Sequence, residues 1–198
     1  MIDEIKKLEE EIGDCSMCGL QRVRNRVVPG VLKLDSEIMF IGEAPGARED
    51  AIGRPFVGSA GQLLTKMVKA MGLSRDDVSV VNTIKCRPPD NRDPKEHEIE
   101  MCFDYLSRQI DIVKPKLLVT LGNPATKTIL KTDIGITRLR GKFYKSHCEI
   151  PVMPTYHPAY LLRNPSKKGE SWEDLKKIIK FLKHGLGEEK IIDVPKRR

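Results

Sequence analysis

The sequence predicts an α/β protein: one three-layer domain on a central, mainly parallel four-stranded sheet flanked by helices. Two observations carry this. Short apolar runs of strand length alternate along the chain with segments of helical periodicity, the pattern of a parallel sheet covered on both faces. The 198 residues suit one core of that kind, with residues 1–187 forming the domain and 188–198 a loosely ordered basic tail.

The elements follow in order. Ile2, Ile5, Leu8 and Ile12 share one face of a short helix over residues 2–13. Ile38-Met39-Phe40-Ile41 is the first strand, ending in the turn Gly42-Glu43-Ala44-Pro45-Gly46. A helix starts near Ser59, buries Leu63, Leu64, Met67, Val68 and Met71, and stops at Gly72. Val78–Ile84 is the second strand, and the Pro-rich loop Cys86–Arg92 follows it. Asp93-Pro94-Lys95-Glu96 predicts a capped helix start, with Ile99, Cys102, Phe103, Leu106 and Ile110 on the inner face. Lys116–Leu121 is the third strand, with Gly122-Asn123-Pro124 opening a short helix, and Pro151–Tyr156 is the fourth. The last helix places Trp172, Leu175, Ile178, Ile179 and Leu182 inward.

Composition excludes some functions. The net charge of +7 favours an anionic partner, nucleic acid first, although Lys- and Glu-rich surfaces also occur in heat-stable proteins. No apolar run approaches the ~18 residues of a membrane span, and the first residues lack a secretory signal. A cytoplasmic, intracellular protein without membrane contact is expected.

Five cysteines are more informative than the charge. Cys15 and Cys18 form a C-x2-C pair, and Cys86 and Cys102 lie far downstream. In a reducing compartment such a pattern points to metal rather than disulfides. Zinc usually takes two close pairs, so the split second pair favours an iron–sulfur cluster on four thiolates. Zinc and plain burial stay open as alternatives, and Cys148 reads as an ordinary thiol.

Ligands of open parallel sheets bind at the carboxyl ends of the strands. There the sequence puts its unusual loops: Gly42–Gly46, Asn82 with the Pro-rich loop, and Tyr156-His157-Pro158. The glycines of the first turn permit close approach of a ligand to the backbone. Phe56, between Pro55 and Gly58, reads as a buried plug or as a platform for a planar ligand. Asn82 and His157 each have a purely structural reading as well.

Taken together, Gly42–Gly46, Gly53-Arg54-Pro55-Phe56-Val57-Gly58, Asn82-x3-Cys86-Arg87-Pro88-Pro89 and Tyr156-His157-Pro158-Ala159-Tyr160-Leu161-Leu162 resemble the family 4 uracil-DNA glycosylases, from about residue 5 to residue 185. The resemblance implies that fold, a [4Fe-4S] cluster on Cys15, Cys18, Cys86 and Cys102, and excision of uracil from single- or double-stranded DNA by hydrolysis of its N-glycosidic bond. It implies uracil flipped into a pocket. Phe56 would stack on the ring, Asn82 would pair with its edge, and Gly42, Glu43 and Ala44 would line the wall. His157 would donate to O2 as negative charge develops on the departing base. Related glycosylases outside family 4 carry an aspartate where this chain has Ala44. The water-orienting carboxylate is therefore assigned to Glu49, with Glu43 shaping the pocket and Asn91 as a polar neighbour. Leu161 or Leu162 would wedge into the duplex, and Arg163 would grip phosphate. Arg87, Arg92, Lys142, Lys145, Lys167 and Lys168 are further candidate phosphate contacts. The segment after Gly46 lacks the Arg/His-rich insertion of covalent uracil-trapping relatives, which favours hydrolysis. The cluster is expected to be structural and the protein a monomer, with repair or sliding-clamp partners left open. The competing classes are a non-catalytic Fe–S or zinc nucleic-acid-binding module and a relative acting on another deaminated base.

Overall fold

The computed structural model describes residues 2–146 and 148–195. Helix α1 (Ile2–Gly13) leads through a short 3-10 turn to strand β1 (Ile38–Gly42). Helices α2 (Ala47–Ile52) and α3 (Ser59–Ala70) precede β2 (Ser79–Asn82), and α4 (Glu96–Val113) precedes β3 (Leu117–Leu121). After α5 (Gly122–Leu130) and α6 (Ile136–Leu139) come β4 (Phe143–Tyr144) and β5 (Val152–Thr155). The chain continues through α7 (Pro158–Arg163), α8 (Lys168–His184) and β6 (Ile191–Ile192).

Among the described residues the sheet has six strands in the order β2-β1-β3-β5-β4-β6, and its first four are mutually parallel. Those four are the strands read from the sequence. The other two, β4 antiparallel to β5 and β6 parallel to β4, have two residues each, too few to show a periodicity. Ile191–Ile192 thus gives a short paired strand to the segment read as a loose tail, whose last residues, 196–198, lie outside the described residues. At the opposite edge, Val31 bridges Val80 and covers part of β2.

Alternation along each strand divides the core. Ile38, Phe40, Val80, Val119 and Met153 face a layer built from Leu64, Met67, Val68, Leu161, Leu175 and Ile178. Met39, Ile41, Val81, Leu118 and Val152 face Leu106, Ile110, Val113, Ala125 and Ile129 on the other side. A separate small cluster joins Leu20, Ile84, Cys86 and Cys102 beyond the end of β2.

Three expectations change. The start of α4 is two residues later than Asp93-Pro94-Lys95-Glu96 predicts: Lys95 is the cap and its N–H donates to Glu98 Oε2 at 2.8 Å, so Glu98 rather than Glu96 is the capping acid and Pro94 stands outside the helix. Trp172 is 38% exposed, because α8 turns Ser171 and Asp174 inward instead. The short helix α2 went unread; it buries Asp50, which accepts from the backbone N–H of Asn25 (2.9 Å) and Arg26 (3.3 Å).

Helix α7 also separates the two candidate wedge residues. Leu161 is 1% exposed and belongs to the core, whereas Leu162 is 41% exposed. Leu161 is therefore withdrawn as a wedge: inserting it into DNA would empty its core site. Leu161→Ala should cost about 2–5 kcal/mol in urea unfolding and Leu162→Ala under about 0.5 kcal/mol. Equal effects of the two substitutions would contradict this assignment.

Candidate active site

A cleft of about 810 Å³ opens at the carboxyl edge of the parallel strands. Its walls bring together Glu43, Ala44, Glu49, Phe56, Asn82, Asn91, His157 and Arg163, which lie up to 120 residues apart in the chain. Tyr160, Ser59, Asn123 and Thr137 join them; sequence reasoning assigns none of these a site role, although Tyr160 lies in the motif around His157.

The floor is set by Gly42, the last residue of β1. A Cβ there would stand 2.6 Å from Phe56 Cζ and closer still to Asn82 Oδ1, so only glycine lets those side chains meet over the strand end. Gly42 and Glu43 turn their carbonyls to the second strand. The N–H of Thr83 donates to Gly42 O at 2.9 Å, and the Thr83 hydroxyl donates to Glu43 O at 2.6 Å. Phe56 is 9% exposed and adopts φ 52°, a left-handed conformation uncommon for a bulky side chain and characteristic of functional strain. A Cβ at Gly61 would overlap the Phe56 carbonyl, so Gly61 makes room for this backbone.

Glu49 holds the same loop. Its Oε1 accepts from the N–H of Val57 (2.9 Å) and of Gly58 (2.8 Å). The carboxylate therefore supports the Phe56 loop with one oxygen, and Oε2 lies on the Gly46 side, where a Cβ would come within 2.8 Å.

Asn82 is 2% exposed, and its Oδ1 is one of two buried side-chain polar atoms without a hydrogen-bond partner among the described residues. Leaving a buried acceptor unpaired costs about 1–3 kcal/mol, so an unpaired acceptor on a residue that lines a cleft points to a ligand donor.

His157 caps α7, its Nδ1 accepting from the Ala159 N–H at 3.1 Å. That bond leaves the proton on Nε2. Burial, helped by Arg163 and opposed by Glu49, pushes its pKa down to about 4, so the ring is a neutral donor at ordinary pH. Its centroid stands 5.8 Å from that of Phe56, with planes inclined 33°. A Cβ on Gly122 would come within 3.0 Å of His157 Cβ, so the bare glycine admits the ring.

Asn91 lines the cleft, but its Oδ1 already accepts from Arg87 Nε at 2.8 Å. Arg92 is engaged by both oxygens of Glu98, and Lys167 by Glu170, so neither is a free cation. Lys142 and Lys145 flank β4, beyond β5 from the cleft-forming strands.

The cysteines gather beside the second strand's end. Cys86 and Cys102 are each 3% exposed, with Cys18 packed against them and Cys15 against Leu8, Ile12 and Tyr105. Burial raises the Cys102 thiol to about 11, and it raises Cys86 too, against the pull of Arg24. Cys15 and Cys18 add to the cost of ionising Cys86, and Cys86 and Cys18 to that of Cys102. Arg24 clamps the group, donating to Cys86 Sγ at 3.0 Å and to the Cys15 carbonyl at 2.9 Å. Among the described residues, no three His, Cys, Asp or Glu side chains converge on a single-ion position. The donor chemistry still fits a cationic group, since mutually repelling buried thiols become thiolates only around one. Cys148 stands apart, with Sγ 3.1 Å from Ser146 Oγ.

An aromatic floor and an unpartnered amide acceptor thus share one cleft at the carboxyl end of a parallel sheet, where open α/β folds bind their ligands. The chain belongs to the uracil DNA glycosylase superfamily, whose family model matches residues 29–176. Within it, the chain is similar to proteins named type-4 uracil-DNA glycosylase. That of Sulfurisphaera tokodaii is 50% identical over 185 residues, covering 89% of this chain and 84% of that one. The Saccharolobus solfataricus protein is 44% identical, covering 91% and 88%, and that of Archaeoglobus fulgidus 42% identical, covering 89% and 92%.

Glu43 yields a test by pH. Burial, with a contribution from Asp93, raises its pKa from 4.5 to about 7. A folded pKa above the unfolded value means that ionisation opposes folding: stability is full below about pH 4.5 and falls as pH rises through about 7. Glu43→Gln should therefore gain about 1 kcal/mol over wild type at pH 8, allowing for its part-exposed position, and nothing at pH 4.5. Equal differences in urea stability at both pH values would contradict this environment.

Proposed function

We propose that the protein flips uracil out of DNA and hydrolyses its N-glycosidic bond, leaving free uracil and an abasic site. The observation that carries this is the unpartnered Oδ1 of Asn82 over Gly42, beneath a cleft floored by Phe56. The uracil edge offers an N3–H donor beside the O4 acceptor, and one carboxamide answers both. Cytosine offers the reverse pattern and would leave Oδ1 facing a ring nitrogen lone pair.

In this reading the extruded ring stacks on Phe56 and meets Asn82 with its edge. As the bond to C1′ breaks, negative charge gathers on the base, and His157 Nε2–H donates to O2. The ring is neutral, so it stabilises the departing anion as a donor, without giving up a proton. The free oxygen of Glu49 orients water toward C1′ and offsets the positive charge of the sugar. Water supplies hydroxide to C1′ and its proton to the base. Glu43 shapes the wall, with Ala44 and Asn91 as neighbours. Arg163 and Leu162 meet the DNA at the exposed face of α7.

Cys15, Cys18, Cys86 and Cys102 hold a [4Fe-4S] cluster in this reading. Four thiolates on a cluster each bind a different iron and need not converge on one point. The cluster ties the Cys15–Cys18 segment to α4 and takes no part in hydrolysis. The protein is read as an intracellular monomer. Among the described residues no helix is long and apolar enough to cross a membrane.

The test is incubation with uracil-containing single- and double-stranded DNA. Free uracil and alkali-labile sites should appear, and anaerobically isolated protein should contain about four iron and four sulfide per chain. Asn82→Ala should weaken both uracil-DNA binding and turnover. His157→Ala should slow single turnover by ~10²–10³ with little loss of binding. Glu49→Gln retains an acceptor for Val57 and Gly58, so a large rate loss there isolates the charge; an active Glu49→Gln beside a crippled Glu43→Gln would reverse the two roles. No uracil from either substrate would leave only a binding module.

A further inference from the structure

Three residues past Asn82 lies Lys85, a lysine 1% exposed. Its Nζ donates to the Asn82 carbonyl at 2.7 Å and to Gln109 Oε1 at 2.6 Å. Gln109 is itself 1% exposed, stands on α4, and donates from Nε2 to the Pro29 carbonyl at 2.7 Å. The Lys85 carbonyl accepts from the Val28 N–H at 2.8 Å. Neither hydrogen-bond partner of the amine is a carboxylate. A buried lysine is costly where an apolar side chain would fill the space, and what it supplies here is two short hydrogen bonds.

What the amine holds is the backbone that carries the base-reading amide. Asn82 ends β2, and its neighbour Thr83 is already bonded to Gly42 and Glu43. Those bonds fix the segment toward β1, and Lys85 fixes it toward α4 from the other side. Asn82 Oδ1 and the Phe56 ring crowd the same position over Gly42, so a shift of the Asn82 backbone changes how Oδ1 sits against Phe56.

We propose that Lys85 is a positioning residue for uracil recognition: through Gln109 it locks the Asn82 carbonyl to α4 and so fixes where Asn82 Oδ1 points. The inference rests on the proposed function, and it predicts a defect in reading the base rather than in holding DNA. Sequence alone gives no sign of it, because a lysine beside Cys86 in a loop reads as a surface charge.

The experiment measures the affinity of purified holoprotein for free uracil, for uracil-containing DNA and for undamaged duplex, comparing wild type with Lys85→Met. Affinity for uracil and for uracil-DNA should fall in parallel by about tenfold, a loss of ~1.4 kcal/mol. Undamaged-duplex binding and iron content should not change. Uracil affinity within about twofold of wild type, in a variant that keeps its iron, overturns the inference. Where Lys85→Met fails to fold or loses iron, the Gln109 pair decides. Gln109→Glu keeps the acceptor for Nζ while giving up the donor to Pro29, and should bind uracil more tightly than Gln109→Met, which should lose about tenfold. A Gln109→Met variant with wild-type uracil affinity also overturns it. Wild type that binds no uracil would instead defeat the functional reading itself.

Discussion

The crowding over Gly42 is the constraint on which the rest of the site depends. Two side chains from distant segments, Phe56 on a loop and Asn82 at the end of β2, occupy the volume that any Cβ at the end of β1 would need. Each is held there by features that make sense only together. Phe56 takes a left-handed backbone accommodated by Gly61 and braced by Glu49, and Asn82 sits on a strand end bonded to β1 on one side and to Lys85 on the other. The local costs are a strained φ, an unpaired acceptor and a buried lysine. A positive φ and an unpaired buried polar atom also occur singly elsewhere in the chain, and it is the convergence of the three costs beside one cleft that fits a planar, hydrogen-bonding guest.

The cysteine region and the cleft share one segment of chain. Asn82 closes the strand that feeds the cleft, and Cys86 lies four residues further on, inside the cluster with Leu20 and Ile84. Basic side chains stand on both sides of this junction, Arg24 on the Cys86 sulfur and Lys85 beneath Asn82. A group bound by the four cysteines would therefore stiffen the base of the recognition loop without touching the base or the sugar. That arrangement suits hydrolysis, which moves no electrons and asks of its scaffold only that the donors be fixed before the charge develops.

Much of this was legible in the sequence, for identifiable reasons. The four long strands carry continuous apolar runs because both faces are covered, and their carboxyl ends carry glycine, proline and asparagine where the backbone must turn. Strands β4 and β6 escaped because two residues carry no period. Trp172 was misplaced because the helical pattern counts apolar residues, whereas α8 spends its inner face on Asp174, which takes Arg140 Nη2 at 2.7 Å and the Thr155 hydroxyl at 2.7 Å. Leu161 and Leu162 are indistinguishable by type, and only the packing of α7 separates them. Lys85 and Gln109 were invisible for the same reason: sequence shows which residues are polar, and tertiary structure decides which polar residues are buried.

A lone pair of Asn82 Oδ1 that reads the N3–H of uracil should discriminate between free bases. Free uracil and 3-methyluracil differ at that one position, and their competition with uracil-containing DNA for the wild-type protein can be measured side by side. The account predicts that methylation weakens competition by about 10–100-fold, the worth of one hydrogen bond to a buried acceptor together with the cost of leaving it unpaired. Equal competition by the two bases would contradict it.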